Sequence, residues 1–261
     1  MMGLVLDTFT ICKRELIKYF RQKPRIIVTM IQPVIWLALM GNTMSKITNN
    51  PFASKLFGTG NYLSFMTPGI VIMTSLFSGI FAGTSIIWDR RIGYLDKLLA
   101  APIKRASIPF GKTLSASIQG ALQSAIILLF AYILGVRFAS GFLGVLVIIL
   151  ISMLFSFIFS GISLILSSTI KTIETLMAII NFMTLPLMFS STALFPSKAM
   201  PDWLSVIAKI NPLSYAVNPI RTLTIKGWEF SSILPGVIII LIFDLIVAFL
   251  SYYVFKRLTS D

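Results

Sequence analysis

Long apolar runs separated by short polar segments make up most of this chain. Five windows contain no Asp, Glu, Lys or Arg, and they cover residues 26–45, 56–88, 113–136, 138–170 and 175–197. A sixth window, 230–255, carries a single charge, Asp244. Since roughly 20 apolar residues form a helix that crosses a hydrocarbon core about 30 Å thick, the pattern predicts an all-α integral membrane protein with six transmembrane helices.

Composition leaves little of the chain for any other domain. Of the 261 residues, 56% are hydrophobic and 12% are charged. An ordinary soluble domain is about 25% charged. The longest segment outside the windows is 198–229, so residues 1–261 are expected to form a single transmembrane domain with no separate catalytic domain.

The positive charge is distributed unequally between the two ends of the predicted helices. The net charge of +13 would suggest nucleic acid in a soluble protein, but here the basic residues flank apolar segments. Fifteen Lys and Arg side chains fall on the side of the two termini, the 89–112 loop and the 171–174 loop, against seven on the other side. We expect a multi-pass protein of the cell membrane with both termini cytoplasmic and no nucleic-acid partner.

The N-terminal segment has helical periodicity. Val5, Phe9, Cys12, Leu16 and Tyr19 share one arc, whereas Asp7, Arg14, Glu15, Lys18 and Arg21 share the opposite one. This predicts an interfacial amphipathic helix over 4–23, ended by Pro24, with its apolar face in lipid and its charged face among headgroups. Because Lys13 falls on the apolar arc, a solvated basic tail is the alternative.

The cytoplasmic loop 89–112 contains a short apolar stripe. Tyr94, Leu95, Leu98 and Leu99 have helical spacing, and Asp96 and Lys97 face away from them. A helix of two turns needs a packing partner. The stripe either docks into a groove of a soluble partner or packs on this chain's own helix ends.

Small and polar residues inside the windows favour close packing or a polar path. Gly79 and Gly83 lie one turn apart, which permits close approach within the chain or between two copies. Ser115, Gln119 and Gln123 follow each other at steps of four and form one polar line. Such a line faces either a substrate path or a neighbouring helix.

The outer segment 198–229 combines turn signals with helical spacing. Its prolines punctuate two pieces, 202–210 and 213–226, whose apolar residues still recur at helical steps. Short half-inserted helices satisfy both features, with Trp203 and Trp228 as anchors at the outer interface.

The sequence offers little for catalysis. It has no G-x-x-x-x-G-K-[ST] phosphate loop, no His and one Cys, so we expect no catalytic residue, no metal site and no cofactor bound by this chain. Asp244 is the one deeply placed charge, and a carboxylate there costs about 2.5–3.5 kcal/mol. It is either a cation or proton site or a side chain hydrogen-bonded to a neighbouring helix.

Two sequence segments resemble one transporter family. Gly93-Tyr-Leu-Asp-Lys-Leu-Leu-Ala-Ala-Pro102 with Gly111-Lys112, and Asn211-Pro-Leu-Ser-Tyr-Ala-Val-Asn-Pro-Ile-Arg221, resemble the ABC-2 export permeases of the daunorubicin-resistance type. The resemblance covers nearly the whole chain. It implies a pair of permease subunits above two separate ATPase subunits, which bind ATP and Mg, and outer re-entrant helices between the fifth and sixth spans, around 201–220.

The resemblance also assigns site residues. The coupling helix that enters the ATPase would comprise Tyr94, Leu95, Asp96, Lys97, Leu98, Leu99, Ala100 and Ala101. The substrate would be drug-like, lipid or lipid-linked, and the path candidates are Gln119, Gln123, Asn181 and Asp244. A secondary transporter or channel that uses Asp244 is the alternative function. An enzyme acting on lipids is disfavoured because no acid–base pair is present.

Overall fold

The computed structural model describes residues 2–48, 57–59 and 61–258, and it confirms the all-α fold class for these residues. In chain order the helices are α1 Met2–Arg21, α2 Lys23–Thr48, α3 Tyr62–Arg91, α4 Tyr94–Ala100, α5 Ser107–Ile133, α6 Gly141–Thr169, α7 Ile173–Phe189, α8 Asp202–Ile210, α9 Pro212–Ile225 and α10 Phe230–Leu258. A short 3-10 helix, Ser197–Ala199, precedes α8. Residues 56 and 60 of the 56–88 window lie outside the described residues.

Five described helices are long and apolar enough to cross a membrane: α2, α3, α5, α6 and α10. The predicted fifth span corresponds to α7, which has 17 residues. At about 1.5 Å per residue it is roughly 26 Å long, slightly less than the hydrocarbon thickness of about 30 Å. Helix length therefore supports five transmembrane spans. A sixth span requires that the shorter α7 also crosses the membrane.

The central helix of the bundle is α3, which packs against α5 and α6. A Cβ atom added to Gly79 would lie 2.6 Å from the carbonyl oxygen of Ser156, and one added to Gly83 would lie 2.5 Å from that of Ser163. The two glycines therefore allow α3 and α6 to approach within one chain. This confirms the intrachain interpretation of the pair.

The first span, α2, packs only loosely against the rest of the chain. In its membrane-spanning window, 17% of the residues are buried, compared with 72% for α3. The exposed apolar side chains are Ile27, Val28, Ile31, Ile35, Trp36 and Leu39. A surface of this kind requires lipid or another protein against it.

The N-terminal helix α1 packs differently from the prediction. Ile11 is buried, and so are Cys12 and Tyr19 of the predicted apolar arc, whereas Val5 and Phe9 of that arc are exposed, as a lipid-facing surface requires. Glu15, predicted to face headgroups, is only 7% exposed because it contacts Ser85 of α3 and Lys112 of α5. A helix is therefore present, but it ends at Arg21 before the predicted stop at Pro24, which lies in the first turn of α2. The orientation assigned to its charged arc is wrong at Glu15.

Candidate coupling site and ion cluster

The direction of the loop helix α4 depends on one glycine. At the end of α3, Gly93 adopts φ +68°, and its N–H donates to the carbonyl of Arg90. A side chain at this φ is strained, so glycine permits the abrupt change of direction. The helix begins at Tyr94 and ends at Ala100, one residue before the predicted Ala101.

The apolar stripe of α4 faces the chain itself. Leu95 is buried, and Leu98 and Leu99 are partly buried against the same cluster, whose other members include Ile86, Ile108, Ala116 and Phe255. This matches the alternative in which the stripe packs on the chain's own helix ends. The exposed residues of α4 are Asp96, Lys97 and Ala100, so these, and not Leu98, form the surface open to a partner.

Next to the start of α4 lies a group of charged side chains with a buried centre, called here the ion cluster: Arg14, Glu15, Lys18, Asp89 and Lys112. Lys112 Nζ lies 2.6 Å from Asp89 Oδ2 and 3.2 Å from Glu15 Oε1, and it donates to Ser85 Oγ at 2.7 Å. The side chains of Lys112 and Asp89 are 1% and 0% exposed. The cluster joins α1, α3 and α5 at the cytoplasmic end predicted for these helices.

Arg14 links the ion cluster to α4. Its guanidinium lies 2.7 Å from Glu15 Oε1 and 3.4 Å from Asp89 Oδ2. The same group stacks 3.7 Å from the centroid of the Tyr94 ring, within cation–π range. The first residue of the loop helix is thus connected to three helices of the bundle.

The ion cluster was not predicted, although the sequence carries a signal for it. Asp89 follows the 56–88 window directly, and Lys112 directly precedes the 113–136 window. Opposite charges at the same depth on two consecutive helices favour pairing. The contribution of Glu15 could not be predicted because it depends on the rotation of α1.

Cys12 lies beside this cluster and is 3% exposed. Burial raises the pKa of its thiol above the ordinary value, and the nearby Glu15 carboxylate adds to the increase. Since the thiolate is the reactive form, the thiol is unreactive near neutral pH.

The polar line of α5 faces α1 and α3. Gln123 Nε2 donates to the Tyr19 hydroxyl at 3.0 Å. Gln119 donates to Ser115 Oγ at 3.1 Å, and both line a cavity of about 230 Å³. Gln123 therefore has a structural hydrogen bond, whereas Gln119 is available to a ligand in the cavity.

The other two path candidates do not line that cavity. Asn181 is exposed on α7, next to Phe182, which is 80% exposed. Asp244 on α10 is 8% exposed, and neither of its carboxylate oxygens has a hydrogen-bond partner among the described residues. The neighbouring-helix hydrogen bond considered for Asp244 is therefore not found in this part of the chain.

At the opposite end of the bundle, Asn211 connects two helices. Its side-chain Oδ1 accepts from Leu213 N–H at 2.8 Å and caps α9. Its Nδ2 donates to Leu187 O at 2.8 Å and Ser190 Oγ at 2.9 Å, at the end of α7. The helices α8 and α9 match the predicted 202–210 and 213–226 pieces closely.

Arg221 fastens α9 to α3. Its guanidinium donates to Thr192 O at 2.7 Å and to Phe65 O at 3.4 Å, and it stacks 4.0 Å from the Phe65 ring centroid. The segment from Asn211 to Arg221 is therefore a structural unit of the bundle end opposite the ion cluster.

Comparison with known proteins assigns the family. Residues 7–225 match the ABC-2 type transporter family. The transport permease named ycf38 of Cyanophora paradoxa is 33% identical over 277 residues, covering 98% of this chain and 90% of the relative. Its namesake in Porphyra purpurea is 31% identical, covering 87% of this chain and 77% of that protein. The daunorubicin resistance ABC transporter permease protein DrrB1 of Streptomyces coeruleorubidus is 25% identical, covering 88% and 80%.

The chain belongs to the ABC-2 type transporter family and is a permease of that family. Its apolar helices make it a multi-pass membrane protein.

Proposed function

We propose that the chain is the membrane-spanning subunit of an ATP-driven exporter of a drug-like, lipid or lipid-linked amphipathic substrate. The observation that carries the proposal is α4, a seven-residue helix with Asp96 and Lys97 exposed, in a chain of the ABC-2 family. The chain has no phosphate loop, so ATP and Mg bind to separate ATPase subunits, and this permease binds no cofactor.

Coupling would run from α4 into the bundle through rigid contacts. The ATPase holds the exposed face of α4, and closure of the ATPase moves that helix. Leu95 and Tyr94 transmit the displacement, one through apolar packing and the other through Arg14. Because α1, α3 and α5 share the ion cluster, they move together, and the bundle alternates between two packed arrangements.

In the proposed assembly, two copies of this chain pair above two ATPase subunits in the cell membrane. The exposed apolar surface of α2 supports the pairing, since little of that helix is buried against the described part of the chain. The α7 helix serves as the fifth span, α8 and α9 re-enter from the outer side, and both termini are cytoplasmic. This orientation is supported by the fifteen Lys and Arg side chains on the side of the termini, compared with seven on the other side.

The proposal is tested by purifying the tagged full chain from native membranes and identifying the subunits by mass spectrometry. We expect a stoichiometric partner that contains G-x-x-x-x-G-K-[ST]. Reversing the exposed charges of α4 (Asp96→Lys with Lys97→Glu) is expected to remove this partner. The matched control Glu174→Lys reverses an exposed charge at the start of α7 and should retain it.

A purified complex without any such ATPase would contradict the proposed function. Leu98→Asp provides a second comparison, because Leu98 packs on the chain's own cluster. We expect this change to lower thermal stability together with ATPase binding, whereas the charge reversal removes binding at unchanged stability.

The alternative of a secondary transporter or channel retains one supporting observation: the Asp244 carboxylate has no hydrogen-bond partner among the residues that the structure describes. Transport into vesicles that continues without ATP and stops when the proton gradient is dissipated would favour it over the exporter.

A further inference from the structure

A cavity of about 230 Å³ lies between α1, the start of α2, α3 and α5, and it is partly open to the surface. At about 30 Å³ per water molecule, it has room for roughly seven waters, a volume that suits a small polar headgroup. Its position near the cytoplasmic ends of the helices places it at headgroup depth.

The walls of the cavity differ in chemistry. Lys18, Arg25 and Gln119 supply hydrogen-bond donors, and Phe81 and Trp88 supply aromatic surface. A pocket with cationic, amide and aromatic walls favours a ligand that is charged at one point and apolar elsewhere.

The charge balance around this cavity is positive. Three cations and two carboxylates form the ion cluster. Arg25 adds a fourth cation and makes no ion pair with residues 2–48, 57–59 or 61–258. Its guanidinium contacts the Gln22 side-chain oxygen at 3.2 Å and the Phe81 ring at 4.9 Å. Four cations against two carboxylates leave an excess of two positive charges around the cavity, which favours an anionic ligand.

We propose that this cavity binds the anionic, phosphate-bearing headgroup of an amphiphile from the inner leaflet. Arg25 at the opening and Lys18 inside contact the phosphate, Gln119 donates to the headgroup, and the acyl chains lie along Trp88 and Phe81. This inference rests on the proposed function in one respect, the membrane orientation that places the cavity on the cytoplasmic side. The amphiphile bound there is either the transported substrate or a lipid that transport requires. Its site is separate from the coupling face of α4.

The test uses the full-length chain in nanodiscs of phosphatidylcholine that contain a small fraction of brominated phosphatidylglycerol or brominated phosphatidylcholine. Bromine quenches nearby tryptophan, and subtraction of a Trp88→Phe variant isolates the emission of Trp88. We expect stronger quenching of Trp88 by the anionic brominated lipid. Arg25→Gln should weaken this preference about fivefold, the value of one basic charge near anionic lipid. Arg25→Lys should restore most of the preference.

The matched control is Arg21→Gln, which removes an exposed basic residue four positions earlier that does not line the cavity. It should retain the preference. Equal quenching by the two lipids, or equal loss in Arg21→Gln and Arg25→Gln, would overturn the site.

A second arm adds inorganic phosphate to discs of phosphatidylcholine alone. A change in Trp88 emission there, without preference for the brominated anionic lipid, would overturn the assignment to a lipid headgroup. Since no ATPase is present, failure of the site is distinguishable from failure of the exporter assignment.

Discussion

Lys112 Nζ and Asp89 Oδ2 lie 2.6 Å apart, with both side chains almost completely withdrawn from solvent. A buried pair of this kind is stable only while each charge keeps its partner. Glu15 and Ser85 complete the contacts of the ammonium group. The pair therefore holds the end of α3 and the start of α5 together and keeps α1 against them.

Replacing Lys112 by methionine should strongly destabilise the protein. The change leaves the carboxylates of Asp89 and Glu15 buried with fewer cations, which costs about 3–5 kcal/mol. Thermal unfolding in detergent measures the loss. The double variant Lys112→Met with Asp89→Asn should be less destabilised than Lys112→Met alone, and Lys198→Met at an exposed site should be neutral. A single variant as stable as the parent would contradict the structural role of the pair.

A methyl group at Gly83 should separate α3 from α6. The added Cβ would lie 2.5 Å from the carbonyl oxygen of Ser163, so backbone has to shift. We expect Gly83→Ala to cost roughly 1–3 kcal/mol, as other overpacked interiors do. Gly3→Ala, where a Cβ meets no atom within 4 Å, is the control in the same unfolding assay. Equal stability of the two variants would show that the helices are not in close contact at Gly83.

The two halves of the Asn211 amide can be tested separately. Asn211→Asp keeps an oxygen that caps α9 but loses the donor to Leu187 and Ser190. Asn211→Ala loses both functions, and the cap alone contributes about 0.5–2 kcal/mol. We therefore expect the order of thermal stability to be parent, Asp variant, Ala variant. If the two variants are equally stable, the cap contributes nothing measurable.

Substitution of Asp244 distinguishes the two candidate functions. Its unpartnered carboxylate is a cost to the fold, so Asp244→Leu should raise the unfolding temperature. As an exporter subunit, the variant should keep ATP-dependent transport in reconstituted vesicles. Loss of transport in a variant of normal stability would support the ion-coupled alternative.

Much of the helical framework was predictable because membrane spans are long and apolar. Helix α4 was located within one residue because an apolar stripe begins after Gly93 and Pro102 follows it. The direction of that stripe was not predictable. Leu95 and Leu98 suit either a partner groove or the chain's own helix ends, and only the placement of Ile86 and Phe255 decides between them.

The ion cluster shows a second limit of sequence-based reasoning. Hydrophobic periodicity placed Glu15 on a charged face turned to headgroups. The burial of that face depends on Lys112, which lies 97 positions away along the chain. Ion pairing across helices depends on how each helix is rotated, and hydropathy carries no information about that rotation. The start of α9 was easier to predict, because Asn211 and Pro212 form a local helix start that the sequence itself defines.

The burial of Cys12 has a practical consequence for experiments on this protein. It is the only cysteine in the chain, it is 3% exposed, and its thiol has a raised pKa. Thiol-specific probes applied to the folded protein near neutral pH should therefore leave it unlabelled. Single cysteines introduced at exposed positions can then carry spin labels or fluorophores without removal of the native thiol first. Distances between such labels would measure the separation of the two copies in the proposed dimer.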